Sequence, residues 1–159
     1  MVAVAEPHPG AMNPSGTLNE ILGQKSSAIW CVSPDATVFE AISIMAEKNI
    51  GALLVISDDR LLGILTERDY TRKVALKGKV SKQTAVKEIL SGDVITVTPN
   101  HTVEECMRLM TANRVRHLPV LSGSKIIGIV SIGDLVNWII SSQNSTIHQL
   151  RTYITGYPE

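Results

Sequence analysis

Two hydroxyl–carboxylate pairs are the residues of this chain best suited to chemistry: Thr66 with Asp69, and Ser131 with Asp134. In each pair the hydroxyl follows an apolar stretch that contains a glycine, Gly63-Ile64-Leu65 or Gly128-Ile129-Val130. The same spacing serves two purposes. As a capping box, the hydroxyl accepts from a free N–H of the first helical turn while the carboxylate reaches back to the N-cap N–H. As a ligand site, the carboxylate accepts both hydroxyls of a vicinal diol, such as a ribose. The hydroxyl residue then donates toward a phosphate, and the open N–H groups of the turn favour an anion. A single copy fits a cap. Recurrence in the same setting points to a ligand as much as to a cap.

Other chemistry finds little support. The chain has no Gly-x-Gly-x-x-Gly, P-loop, Cys-x-x-Cys or His-Glu-x-x-His pattern. His8, His101, His117 and His148 are scattered, and no base stands beside a nucleophile, so neither a metal site nor a catalytic residue is expected. Cys31 and Cys106 each lie among apolar residues and read as small buried hydrophobes. Two unpatterned cysteines suit a reducing compartment, and the cytoplasm is the expected location. The 15 basic and 15 acidic residues balance, which removes any general pull toward nucleic acid or anionic membrane. No apolar run approaches the roughly 20 residues of a membrane span. The run from Arg72 to Lys87 holds six basic residues and no acid. Tyr70 is the one aromatic nearby, so the run reads as a solvated linker, although a small nucleic-acid-binding protein remains a rival reading.

The elements that must position the two pairs come from an internal repeat. Residues 29–70 slide over 94–135 without a gap, and 12 of the 42 pairs are identical, among them Pro34/Pro99, Thr37/Thr102, Glu40/Glu105, Gly63/Gly128 and Asp69/Asp134. Each copy reads as strand, helix, strand, strand, helix. Thr17/Glu20, Thr37/Glu40 and Thr102/Glu105 form capping boxes. Val38, Ala41, Ile42 and Met45 recur at helical spacing, as do Val103, Cys106, Met107 and Met110. Short helices are expected from Thr17 to about Leu22, ended by Gly23, and from Thr84 to Leu90. Strands are expected over Ala28–Val32, Leu53–Ile56, Leu61–Leu65, Val94–Val97, Leu118–Leu121 and Ile126–Val130. Closing helices run from Asp69 to about Leu76 and from Gly133 to about Ser142. With hydrophobic residues at 44% and aromatics at 4%, the core is aliphatic. One copy has too little core to stand alone, so the two should pack sheet against sheet. The expected division is a leader without structure at 1–16, repeats at 17–80 and 81–142, and a tail at 143–159 whose Ile147, Leu150 and Ile154 share a helical face.

These motifs together resemble a known family. Ser33-Pro34 and Thr98-Pro99 after the first strands, helices opening at Thr37 and Thr102, Arg116-His117-Leu118-Pro119-Val120, and the Gly-h-h-[Ser/Thr]-x-x-Asp units (h, apolar) are similar to the cystathionine β-synthase (CBS) domain. Two in tandem make a CBS pair, or Bateman module. The resemblance covers residues 17 to about 142, and is strongest to stand-alone CBS pairs of bacteria and plant organelles. It implies an α+β fold of two β-α-β-β-α repeats related by a pseudo-twofold axis. It implies a regulatory module without catalytic residues that binds an adenine nucleotide, AMP foremost, in clefts between the repeats. A homodimer and a protein target regulated in trans are implied partners.

Residue by residue, the resemblance makes Asp69 and Asp134 ribose ligands, with Thr66 and Ser131 beside them. Val32, Val97, Ile64 and Ile129 become candidates for the adenine slot, although each also reads as plain core. The residues before the Leu-Pro-Val strand of one repeat face the nucleotide on the Asp of the other. Arg116 and His117 therefore serve the Asp69 cleft, joined by Arg68. The Asp134 cleft receives Gly51 and Ala52, and Gly133 stands in the place of Arg68, so no cation is expected there. The rival in which both motifs are only helix caps makes the chain a ligand-independent interaction scaffold.

Overall fold

The capping boxes start the helices the spacing predicts. Glu40 N donates to Thr37 Oγ1 at 3.1 Å while Thr37 N donates to Glu40 Oε2 at 2.7 Å. Glu105 and Thr102 repeat the exchange at 3.1 and 2.9 Å. Each box satisfies two backbone donors that the first turn would otherwise leave open. In the computed structural model, residues 2–4, 16–25 and 28–155 are described, with side chains for 16–25 and 28–143.

The element order is β1 (Val2–Val4), α1 (Leu18–Gln24), β2 (Cys31–Val32), α2 (Val38–Lys48), β3 (Ala52–Ser57), β4 (Arg60–Thr66), α3 (Glu67–Tyr70), β5 (Val94–Thr96), α4 (Val103–Asn113), β6 (His117–Ser122), β7 (Lys125–Ser131) and α5 (Ile132–Thr155). A wide π turn at Thr71–Ala75 extends α3, and 3-10 turns lie at Ser81–Gln83 and Val86–Glu88. In the first repeat β2 pairs parallel with β3, and β3 antiparallel with β4. In the second, β6 and β7 pair antiparallel, and Val97 bridges Val120 in parallel. The β3–β4 turn holds Asp58 and Asp59 at φ 50° and 59°. Two consecutive positive φ angles are what a tight hairpin turn requires. The two sheets meet over Leu54, Leu61, Val94 and Leu121, with Ile64 and Ile129 packed against them. This is the expected α+β pair of repeats packed sheet to sheet.

The repeats exchange their opening segments. Leu18 N donates to His101 O at 2.9 Å, Asn19 N to Pro99 O at 3.0 Å, and Val103 N to Gly16 O at 3.1 Å. The same three bonds recur with Val86 N to Ala36 O, Lys87 N to Pro34 O, and Val38 N to Thr84 O. Leu18 and Ile21 are buried with Val97, Val103 and Leu118 in the second core, while Val86 and Ile89 are buried with Val38, Leu53 and Leu65 in the first. Burying such side chains is worth about 1.5–3 kcal/mol each, enough to dock a helix of two turns. The sequence boundaries at 17–80 and 81–142 therefore do not coincide with the cores, because each core takes a segment from across the boundary.

Four expectations on elements change. Helix α1 runs through Gly23 to Gln24, since tertiary packing of Leu18 and Ile21 outweighs the weak helix propensity of one glycine. The segment 84–90 keeps only a 3-10 turn. Helix α5 continues to Thr155, for the next glycine after Gly133 is Gly156 and no proline intervenes. A strand, β1, lies within the expected structureless leader and pairs parallel with β5, Val2 opposite Val94. The apolar side chains expected on the tail lie outside the described ones. Cys106 is buried as expected, but Cys31 is exposed, because two-residue β2 turns Val32 inward and Cys31 outward.

Candidate nucleotide clefts

Thr66 ends β4 in extended conformation and is the N-cap of α3. Asp69 Oδ2 accepts from Thr66 N at 2.9 Å and from Thr66 Oγ1 at 3.0 Å. Ser131 and Asp134 reproduce the arrangement, with Ser131 N donating to Asp134 Oδ2 at 2.8 Å. The capping box is thus formed in both copies, and in both the N-cap N–H falls on Oδ2. The cap leaves the second carboxylate oxygen to other partners, so cap and ligand site are compatible in one residue.

A cleft of about 290 Å³ opens beside Asp69. Ile64, Thr66, Arg68 and Asp69 line one wall, and Arg116 and His117 the opposite wall. All six are residues singled out in the sequence. Their meeting follows from backbone geometry. Arg114 takes the left-handed conformation at φ 54° as the C-cap of α4, which redirects the chain into β6. Arg68 Nη1 donates to Arg114 O at 2.9 Å, tying the two walls together. Glu67, Ser91, Asp93, Val94 and Val115 also line the cleft without having been expected there, and Gly51, expected at the Asp134 cleft, lines this one. Val94 enters because β5 joins the inter-sheet core, which spacing within a repeat does not reveal. Val32 and Val97 are not among the lining residues; they lie in the cores of their own repeats.

Each aspartate carries a lysine, and the two lysines come from different elements. Lys73, on the π turn, places Nζ 3.2 Å from Asp69 Oδ1, 2.6 Å from Ser91 Oγ and 3.0 Å from Ile89 O. Lys25, the residue after α1, places Nζ 2.7 Å from Asp134 Oδ2 and 3.0 Å from Ile129 O. The expectation of a second cleft without a cation is therefore corrected. Lys25 leaves no mark in the repeat because the segments opening the repeats are offset by 68 residues, Leu18 to Val86, and the repeats themselves by 65. Burial pushes the Asp134 carboxyl up, but the hydrogen bonds from Lys25 and Ser131 overcome it and hold it below the ordinary carboxylate range.

His117 stands between the two aspartate motifs. It lines the Asp69 cleft, with Cε1 3.6 Å from where a Cβ on Gly51 would stand. In the sheet it pairs with Ser131. Burial lowers its pKa, Lys25 and Arg116 lower it further, and Asp134 opposes them.

This topology, with the duplicated capping motifs and the cleft where the repeats meet, defines a tandem repeat module. The family model for the CBS domain matches twice, at residues 25–76 and 86–141, and the chain belongs to the CBS-domain family. It is 38% identical to the mitochondrial CBS domain-containing protein CBSX3 of Arabidopsis thaliana, over 93% of this chain and 78% of that one. A putative signal-transduction protein with CBS domains from Burkholderia ambifaria has a solved structure 50% identical to it, with TM-score 0.78, covering 80% of this chain and 96% of that chain. The CBS pair of protein MJ0100, solved with 5-methylthioadenosine and S-adenosyl-L-methionine, shares the fold at TM-score 0.70 and 23% identity, over 79% of this chain and 97% of that chain. No helix among the described residues is long and apolar enough to cross a membrane.

Proposed function

We propose that this protein senses an adenine nucleotide, AMP foremost, in the Asp69 cleft and regulates a protein target in trans. One observation carries the reading: the cleft joins the Asp69 carboxylate on one repeat to Arg116 and His117 on the other. Ribose falls to Asp69, with Thr66 beside it, and phosphate to Arg116 and His117, with Arg68 closing the wall. Ile64 and Val94 supply apolar surface for the base. The cleft is at the small end of ligand sites, which run from about 300 to 1,000 Å³, as suits a mononucleotide. The adenosyl ligands of the MJ0100 pair support the ligand class through the shared fold. A nucleotide bridging both walls favours the arrangement in which they are close, and that preference is what a target can read.

The module acts as a homodimer in this reading. Helices α4 and α5 present an apolar groove lined by Val103, Met107 and Ile139, flanked by exposed Val136 and Ile140. The free thiols suit the cytoplasm. Calorimetric titration with AMP tests the reading. Asp69→Asn keeps an oxygen for the cap but loses the charge that holds the diol, and it should weaken binding at least tenfold in a folded protein. Unchanged affinity would make Asp69 a cap alone and favour the ligand-independent scaffold.

A further inference from the structure

We infer that Lys25 closes the second cleft to nucleosides, so that the chain takes one nucleotide and not two. The inference rests on the reading that the clefts bind adenine nucleotides. A nucleoside entering beside Asp134 needs two kinds of acceptor: a carboxylate for the ribose diol and a backbone carbonyl for an exocyclic amine. Lys25 Nζ holds one of each, Asp134 Oδ2 at 2.7 Å and Ile129 O at 3.0 Å.

The lysine is well placed to stay there. Its backbone N–H donates to Ile21 O at 3.1 Å, ending α1, and α1 is anchored by Leu18 and Ile21 in the second core. The ion pair is partly sheltered, with side-chain exposures of 34% for Lys25 and 23% for Asp134. Lys73 differs at the first cleft. It divides its ammonium among three acceptors, and its contact with Asp69, at 3.2 Å, is the longest of them. A diol can take Asp69 while Lys73 keeps Ser91 and Ile89. Lys25 shares Asp134 Oδ2 with the Ser131 N–H and also holds Ile129 O, so a nucleoside reaching Asp134 must displace the ammonium from the carbonyl its base would need.

Lys25→Met tests this, since it keeps the apolar stem and removes the charge. Calorimetric titration of the full chain with AMP should give one site per native chain and two per Lys25→Met chain. Lys25→Met with Asp134→Asn should return to one. Lys25→Gln is a second variant should Met pack differently, and circular dichroism establishes that each is folded. Two sites in the native chain, or one site in both Lys25 variants, overturns the inference while leaving the Asp69 reading intact. No site in the native chain but one in Lys25→Met sinks the Asp69 reading and keeps the inference. No binding by either sinks both.

Discussion

Leu90 Cδ2 lies 2.9 Å from the point where a Cβ on Gly63 would stand, and Leu22 Cδ2 stands in the same relation to Gly128. The repeated glycine is therefore a seat for the leucine that arrives with the exchanged segment. An alanine at either position forces that leucine to move. Overpacking a core costs typically 1–3 kcal/mol, and the entropy regained by replacing glycine returns about 0.5–1 kcal/mol. Gly63→Ala is expected to destabilise by about 1 kcal/mol in urea unfolding. In a Leu90→Ala background the same substitution should be neutral or stabilising, and a cost that persists there would show that Leu90 is not the obstacle.

Arg116 should discriminate by charge. Charge-assisted hydrogen bonds are worth about 1.5–3 kcal/mol, or roughly ten- to a hundredfold in affinity. Arg116→Ala is expected to weaken AMP by that factor and adenosine by less than threefold, because adenosine brings no phosphate. Equal losses for both ligands would remove Arg116 from the phosphate.

His117 makes stability depend on pH. Burial first, then Lys25 and Arg116, hold its folded pKa below the ordinary histidine value of about 6.5. Between the folded value and about 6.5 the unfolded chain binds more protons, so stability rises with pH and is lost as pH falls through that window. His117→Gln should flatten the slope of melting temperature against pH below about 6.5, while the native slope stays positive.

The cysteines should react unequally. Burial, with a smaller push from Glu105, raises the Cys106 thiol to about 12, whereas Cys31 is exposed. Only thiolate alkylates readily. Iodoacetamide on the native protein should add one carbamidomethyl group, mapped to Cys31 by mass spectrometry, and denaturant should release the second.

Much of the fold is legible in the chain because its signals are local. Thr37/Glu40 and Thr102/Glu105 mark helix starts within four residues, and the 65-residue offset aligns two copies of one unit. Arg116 and His117 are legible as a contrast with Gly51 and Ala52. What escapes is what depends on distant pairing. Nothing near Leu18 signals that it packs on Val103 and not on Val38. Lys25 has no counterpart in the ungapped repeat, so its grip on Asp134 has no sequence mark. Val32 and Val97 read equally well as base-contacting or as core, since an apolar slot and an apolar core use the same residues. The length of α5 is not legible because polar residues after Ser142 look like a tail, although none of them breaks a helix.

The exchanged segments also set an order of assembly during synthesis. The first repeat cannot close until Val86 and Ile89 have been made, and α1, made earlier than its partners, must wait for His101 and Val103. A nascent chain halted near residue 80 would expose Leu18 and Ile21 and leave the first core open at once. Released into solution, such a chain can cover both surfaces with native contacts by borrowing the missing segments from a full-length copy.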